Sequence, residues 1–173
     1  VSSFAAYRPD QPGSVDPGVR VRMGASDDLA GIVAVAASRG RLPADFAERI
    51  DARMTDADWR VLVAERTNAP GVIGWAMVGP WTGLVDAPDG RYVSALTVTP
   101  EARRSGIGGR LLGDLVVVAG GTVFSVVNAR NRASLDLHRR QGFVELGRAA
   151  RFAGIDFDGG SGVLLRRDQG GPA

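Results

Sequence analysis

Between Tyr92 and Leu112 the chain runs from an extended apolar stretch, through a turn crowded with arginine and glycine, into an amphipathic helix. No other stretch constrains the fold as strongly. Tyr92 to Val98 reads as a strand, ended by Pro100. Arg103-Arg104-Ser105-Gly106-Ile107-Gly108-Gly109 is the turn. Beyond it Ile107, Leu111, Leu112, Leu115 and Val118 share one helical face, with Arg110 and Asp114 opposite. Such a turn presents successive backbone N–H groups at a helix N-terminus, which is an anion site. Its glycines allow positive φ and close approach of a phosphate, and Arg103 and Arg104 add charge. Two familiar phosphate-binding patterns do not fit. The dinucleotide fingerprint would need a small residue at Leu111, and the Walker pattern needs a lysine, whereas all 21 basic residues are arginine. A turn whose glycines serve only packing is the remaining alternative.

The surrounding pattern predicts a single domain in the order β-α-α-β-β-β-α-β-α-β-β. Val19 to Met23 suits an edge strand. Ser26 reads as an N-cap, with Asp27 and Asp28 in the first turn and Leu29, Ile32, Val33 and Ala36 as the helical stripe up to Gly40. Pro43 opens a second helix bearing Phe46, Ile50 and Met54. Arg60 to Ala64 and Val72 to Val78 form a hairpin about Thr67 to Gly71, and Pro80 to Gly90 is a loop. Thr122 to Val127 is a strand, and Ala133 to Arg140 is a helix stopped by Gly142. Phe143 to Ala153 and Gly162 to Arg166 close as a hairpin. The expected division is a flexible arm over 1–18, a domain over 19–168 and a tail over 169–173. A chain of 173 residues can bury roughly 70% of its unfolded surface without a staple.

Composition removes several chemistries. Without cysteine there is no disulfide, thiolate nucleophile or cysteine-ligated metal; without lysine there is no Schiff base. One histidine, His138, cannot build a multi-histidine metal site. The net charge of +2 is dispersed, with no interleaving of aromatic and basic residues, which argues against nucleic acid as a partner. The longest apolar stretch, Leu115 to Val127, is broken by Gly120-Gly121 and falls short of the ~20 residues of a membrane span. The first residues carry neither a basic region nor an apolar core of a signal peptide, so the expected location is cytoplasmic.

These residues resemble the GNAT superfamily of acyl-CoA N-acyltransferases. Its phosphate-loop pattern, [Arg/Gln]-x-x-Gly-x-[Gly/Ala], is similar to Arg103-Arg104-Ser105-Gly106-Ile107-Gly108, and the strand that precedes it there is similar to Leu96-Thr97-Val98-Thr99-Pro100. The second motif, Asn-x-x-[Ala/Ser]-x-x-Leu-Tyr-x-x-x-Gly-Phe, resembles Asn131 to Phe143. The resemblance implies an α/β fold with a mixed, mostly antiparallel central sheet flanked by helices. It implies that backbone groups of Leu96, Thr97 and Val98 bind the pantetheine arm as an added strand. It also implies that the amides from Arg104 through Ser105, Gly106, Ile107 and Gly108 to Gly109, with Arg103 beside them, hold the pyrophosphate. Gly109 stands where many relatives place a serine or threonine, so this loop relies on its amides.

Asn131, Ser134 and His138 share one face of the second motif's helix and suit contacts along an extended cofactor, while Ala133 and Leu137 are expected to pack on the sheet. His138 occupies the position of the family's tyrosine, which is thought to protonate the departing thiolate. An imidazole with an ordinary pKa of ~6.5 could do the same, and a solvated helix end is the competing reading. The acceptor region offers Phe46, Trp81, Asp86, Asp89, Phe152, Asp156, Phe157 and Asp158, which would suit a cationic amine. The strand Tyr92 to Val98 carries no carboxylate, so a general base would have to be distant, such as Glu65 or Asp86. The expected activity is transfer of acetyl from acetyl-CoA, without a metal, to the primary amine of a small molecule or peptide; a non-catalytic acyl-CoA-binding regulatory domain is the alternative. A homodimer is the candidate assembly.

Overall fold

The computed structural model describes residues 16–168. Seven strands form one sheet in the order β1-β2-β3-β4-β5-β9-β6: β1 (Val19–Met23), β2 (Arg60–Arg66), β3 (Ala69–Trp81), β4 (Gly90–Val98), β5 (Val123–Asn128), β9 (Gly162–Arg167) and β6 (Val144–Ala149). Every neighbouring pair is antiparallel except β4 and β5, which are parallel. The expected mixed, mostly antiparallel sheet with flanking helices is what the chain forms.

Alternation along β2 sorts the two faces. Leu62 and Ala64 point to α3 (Ile107–Ala119), whose Leu111, Leu112, Leu115 and Val116 are fully buried against them with Ala76 and Val78. Each such leucine contributes about 1.5–3 kcal/mol through burial. Val61 and Val63 point the other way, to α1 (Leu29–Ala37) and α2 (Phe46–Thr55), with Trp75 and Met77 beside them. α4 (Arg132–Arg140) packs next to α3. A third cluster gathers Tyr92, Phe124, Phe152 and Leu164 with Trp81; Trp81 stacks on Tyr92 at 4.6 Å and Tyr92 on Phe124 at 5.3 Å.

Four local differences from expectation have physical causes. β3 continues through Pro80, paired with Arg91, instead of ending at Val78. β2 starts at Arg60 opposite Val78, so β3 has no neighbour on that side beyond this point and a missing N–H costs nothing. A small two-stranded hairpin, β7 (Arg151–Phe152) and β8 (Ile155–Asp156), interrupts the closing hairpin; its turn residues Ala153 and Gly154 both have positive φ, of 51° and 73°. Ser26 does not cap α1. A single 3-10 turn, Ser26–Asp28, precedes that helix, and the Asp28 carboxylate accepts the Ala25 N–H at 2.9 Å. α2 begins at Phe46, after a turn in which the Phe46 N–H bonds Pro43 O. Of the expected arm, residues 1–15 lie outside the described residues, as does the tail 169–173. Asp16 to Gly18 form a tied turn: the Asp16 N–H donates to Ser105 O at 3.2 Å, and the Asp16 carboxylate faces Arg66 at 3.7 Å. No helix among the described residues is long and apolar enough to cross a membrane.

Candidate active site

β4 and β5 are joined only at Arg91–Val123 and Tyr92–Phe124. β4 then runs on to Val98 and β5 to Asn128 with no further ladder between them. The two strands therefore part into a wedge, and from Val93 onward β4 presents to it the backbone groups that β3 does not use. The register with β3 slips between Met77–Ala95 and Val78–Val93, which makes Ser94 a bulge just past the last rung of the β4–β5 ladder. Leu96 and Val98 turn their side chains to the α3 core, while Thr97 is buried on the opposite face beside its register partner Trp75. Leu96, Thr97 and Val98 thus line the wedge with main chain.

The glycine-rich turn closes the open end of β4. Pro100–Ala102 form a 3-10 turn, Arg103 is extended, and its Nε donates to Val98 O at 3.4 Å. Arg104 and Gly106 take positive φ, 67° and 74°. A non-glycine residue held there is a costly conformation and marks a turn whose shape matters. The Ser105 hydroxyl donates to Ala102 O at 2.6 Å, pinning the turn. The Arg110 N–H is the first to bond back within the helix, onto Gly106 O at 3.1 Å, so the N–H groups of Ile107, Gly108 and Gly109 face out of the helix start. Ile107 sends its side chain into the core.

A Cβ on Gly108 would meet Leu137 at 3.4 Å and Val98 at 3.9 Å, and one on Gly109 would meet Gln141 at 3.5 Å. These are ordinary contacts, so packing does not demand glycine at either position. The turn thus leaves the N–H groups of Ile107, Gly108 and Gly109 facing outward at the open end of the wedge.

α4 forms the far wall. The Asn131 side chain accepts the Ser134 N–H at 3.2 Å and so caps the helix. Leu135 and His138 are the fully buried residues of α4; Leu137 is partly buried against the main core, as expected, and also leans on Gly108 and Gly109, while Ala133 is half-buried. His138 is only 2% exposed. Its Nδ1 lies 2.7 Å from Ser134 O, a group that only accepts, so Nδ1 carries the proton and Nε2 a lone pair. Nε2 is buried with no partner among the described residues, and the ring meets Phe143 edge-on at 5.0 Å. Burial outweighs the Ser134 bond and pushes the imidazole pKa down to about 4. Burial thus holds His138 well below the ordinary imidazole pKa on which its reading as a part-protonated donor rested.

The face of the sheet that carries Ala95 and Thr97 lies under α1 and α2. Several acidic candidates have structural work instead. Asp89 accepts the Gly83 and Leu84 N–H groups, each at 2.9 Å, which holds its carboxyl below the usual range. Glu65, offered as a distant base, sits on β2 bonded to Arg22 and Arg20 at 2.8 and 2.6 Å. Those bonds depress its pKa, and β2 is two strands from the wedge. Asp86 and Asp156 each lie 3.9 Å from Arg151. Phe152, Phe157 and Trp81 belong to the aromatic cluster, and Phe46 meets Trp75 edge-on at 6.0 Å. Two residues of this region escaped the sequence reading: Trp75, whose buried indole N–H has no acceptor among the described residues, and Arg53 on the inner side of α2. The signal for Arg53 was its place three residues after Ile50, on an otherwise apolar stripe.

The sheet is split between two parallel strands, and a helix N-terminus closes the split. Residues 29–143 match the model of the acetyltransferase (GNAT) family, and the chain belongs to that family. It is 33% identical over 108 residues to an uncharacterized protein of Mycobacterium leprae; that match spans 61% of this chain but 28% of the relative, less than a third of its length. Its fold is similar to ribosomal-protein-alanine N-acetyltransferase of Brucella melitensis (25% identity, 86% of this chain and 99% of that one, TM-score 0.66). It is also similar to a phosphinothricin acetyltransferase of Sinorhizobium meliloti in complex with acetyl-CoA (22% identity, 87% and 88%, TM-score 0.67). Spermidine N-acetyltransferase of Vibrio cholerae, in complex with CoA and spermine, is a third (16% identity, 89% and 97%, TM-score 0.68).

Proposed function

We propose that residues 19–168 form an N-acetyltransferase domain that moves the acetyl group of acetyl-CoA directly to a primary amine. The observation that carries this is the parting of β4 from β5 after Tyr92 and Phe124, with the Arg103–Gly109 turn at the open end. The backbone of Leu96 to Val98 pairs with the pantetheine arm as an added strand. The amides of Ser105 to Gly109, at a helix start, hold the pyrophosphate, with Arg103 and Arg104 beside them. Asn131 and Ser134 shape the facing wall.

Acetyl-CoA supplies an activated acetyl group as a thioester. On this reading, main-chain N–H groups of β4 beside the Ser94 bulge polarise the thioester carbonyl. The neutral amine forms the new C–N bond, the C–S bond breaks, and the proton shed by nitrogen reaches sulfur through water. A neutral His138 holds α4 against Phe143 and supplies no proton at pH 7.

The neutral His138 and the absence of a carboxylate on β4 also favour the second reading, a domain that binds acyl-CoA without turning it over. Calorimetry with CoA tests the shared part: binding is expected, and no heat at millimolar CoA would sink both readings. Release of free thiol from acetyl-CoA on adding amines then separates them.

A further inference from the structure

Under α1 and α2 the sheet carries guanidinium charge that pairs with no carboxylate among the described residues. Arg53 points from α2 to the sheet: its Nη1 lies 3.8 Å from Met77 Sδ, and its guanidinium sits 4.2 Å from the centre of the Trp59 ring. It forms no ion pair among the described residues, whereas Arg49, one turn earlier, faces Asp45 at 3.5 Å. Burial and the charge of Arg49 both weaken its hold on the proton, the reverse of what a partner carboxylate would do. Met77 is the register partner of Ala95, so the guanidinium stands over the strand next to β4, roughly 5 Å from the edge that opens into the wedge.

Two further donors share this face. Trp75, two residues along β3, is 3% exposed and its indole N–H has no acceptor among the described residues. Arg39, just past α1, is close enough to Arg103 for the two charges to repel, and neither pairs with a carboxylate among the described residues. Across the opening Asp86 and Asp156 are already shared by Arg151, and Asp89 is consumed by its loop. Glu48 and Asp51 lie on the exposed side of α2.

We propose that the acceptor is an amino acid, a small primary amine whose own carboxylate is held by Arg53 while the amine faces β4 near Ala95. This rests on the N-acetyltransferase reading. A guanidinium fork suits a carboxylate bidentately, and the orphaned Trp75 N–H offers another donor on that face. A polyamine would bring further positive charge to a face that already holds unpaired arginines.

The test is acetyl transfer from saturating acetyl-CoA, followed by thiol release, with the twenty amino acids, their amides and spermidine. At least one free amino acid should be acetylated with kcat/KM tenfold or more above its amide, and above spermidine. Arg53→Met should raise KM for that amino acid at least tenfold, erase the preference of acid over amide, and leave the CoA dissociation constant unchanged. The acid-against-amide comparison on the unaltered protein needs no variant, so a poorly folding Arg53→Met cannot hide the result. Amides or spermidine turned over as well as the acids, an unchanged preference in folded Arg53→Met, or no turnover of any amino acid by protein that binds CoA would each overturn the proposal and leave the CoA site standing. Failure to bind CoA would instead overturn the function on which it rests.

Discussion

His138 makes a sharp test, because it is the chain's one histidine and its burial favours the neutral ring. Its pKa falls from 6.5 in an open chain to about 4 in the fold, since burial removes the water that would solvate the imidazolium. A folded pKa below the unfolded one means that the unfolded chain takes up the proton first. The stability tied to the neutral ring is then whole above about pH 6.5 and is lost as pH falls toward 4. A shift of some 2.5 units corresponds to about 3 kcal/mol in full, of which about 2 kcal/mol is gone by pH 5. Carboxylates also titrate in this range, so the quantity to measure is the difference between wild type and His138→Phe. Urea unfolding followed by circular dichroism should show wild type losing about 2 kcal/mol more than the variant between pH 7.5 and pH 5. The imidazole C2 proton can be followed directly by nuclear magnetic resonance, with no other histidine to confuse it. A native resonance that titrates near 6.5, or equal pH dependence in the two proteins, would refute the buried neutral imidazole and restore His138 as a proton donor.

Catalysis gives a related expectation: His138→Phe should keep kcat within about tenfold at pH 7.5, well short of the 10²–10⁴-fold loss that follows removal of a general acid, as thiol release will show. Gly108→Val should lose CoA affinity at least tenfold by calorimetry while its melting temperature changes little, because the first Cβ contacts are ordinary and the added methyls enter the space over the amides. Gly79→Ala should do the opposite. Its Cβ would fall inside the Trp59 ring, so denaturation should report a loss of about 1–3 kcal/mol with CoA affinity kept in the folded fraction. CoA at a hundredfold over its dissociation constant should add about 2.7 kcal/mol to stability, seen as a rise in melting temperature that NAD at the same concentration does not produce.

The elements were legible where one residue period ran unbroken. β4, α3 and β5 appear within one or two residues of their expected limits, because their apolar spacing and their glycine and proline stops agree. The β7–β8 turn was not legible: Ala153 is no turn signal, and only the surrounding fold holds it at positive φ. The extension of β3 through Pro80 depends on where β2 begins, a fact about a neighbouring strand. The N-cap at Ser26 failed for a similar reason. Asp28 reaches both the Ala25 N–H and Arg22, and the Arg22 guanidinium, 2.8 Å from Glu65, ties that corner to β2.

The candidate site divides along the same line. Motif spacing placed Arg103 to Gly109 at the start of α3 and Asn131, Ser134 and His138 on one helix, since those relations are local. It could not supply the protonation state of His138, because that depends on Phe143 and on burial beneath the helix, and sequence distance says nothing of either. Nor could it find the wedge, which exists because the β4–β5 ladder stops after two rungs. Sequence showed two runs suited to strands; only their pairing shows that most of each run is unpaired toward the other. Strand edges left open in this way would invite a foreign strand unless something covers them. Here the opening lies between two strands of one sheet and ends at the Arg103–Gly109 turn, which is why the proposed function puts an extended, phosphate-bearing arm in it. The backbone hydrogen bonds missing from the middle of this sheet are, on that argument, the binding site.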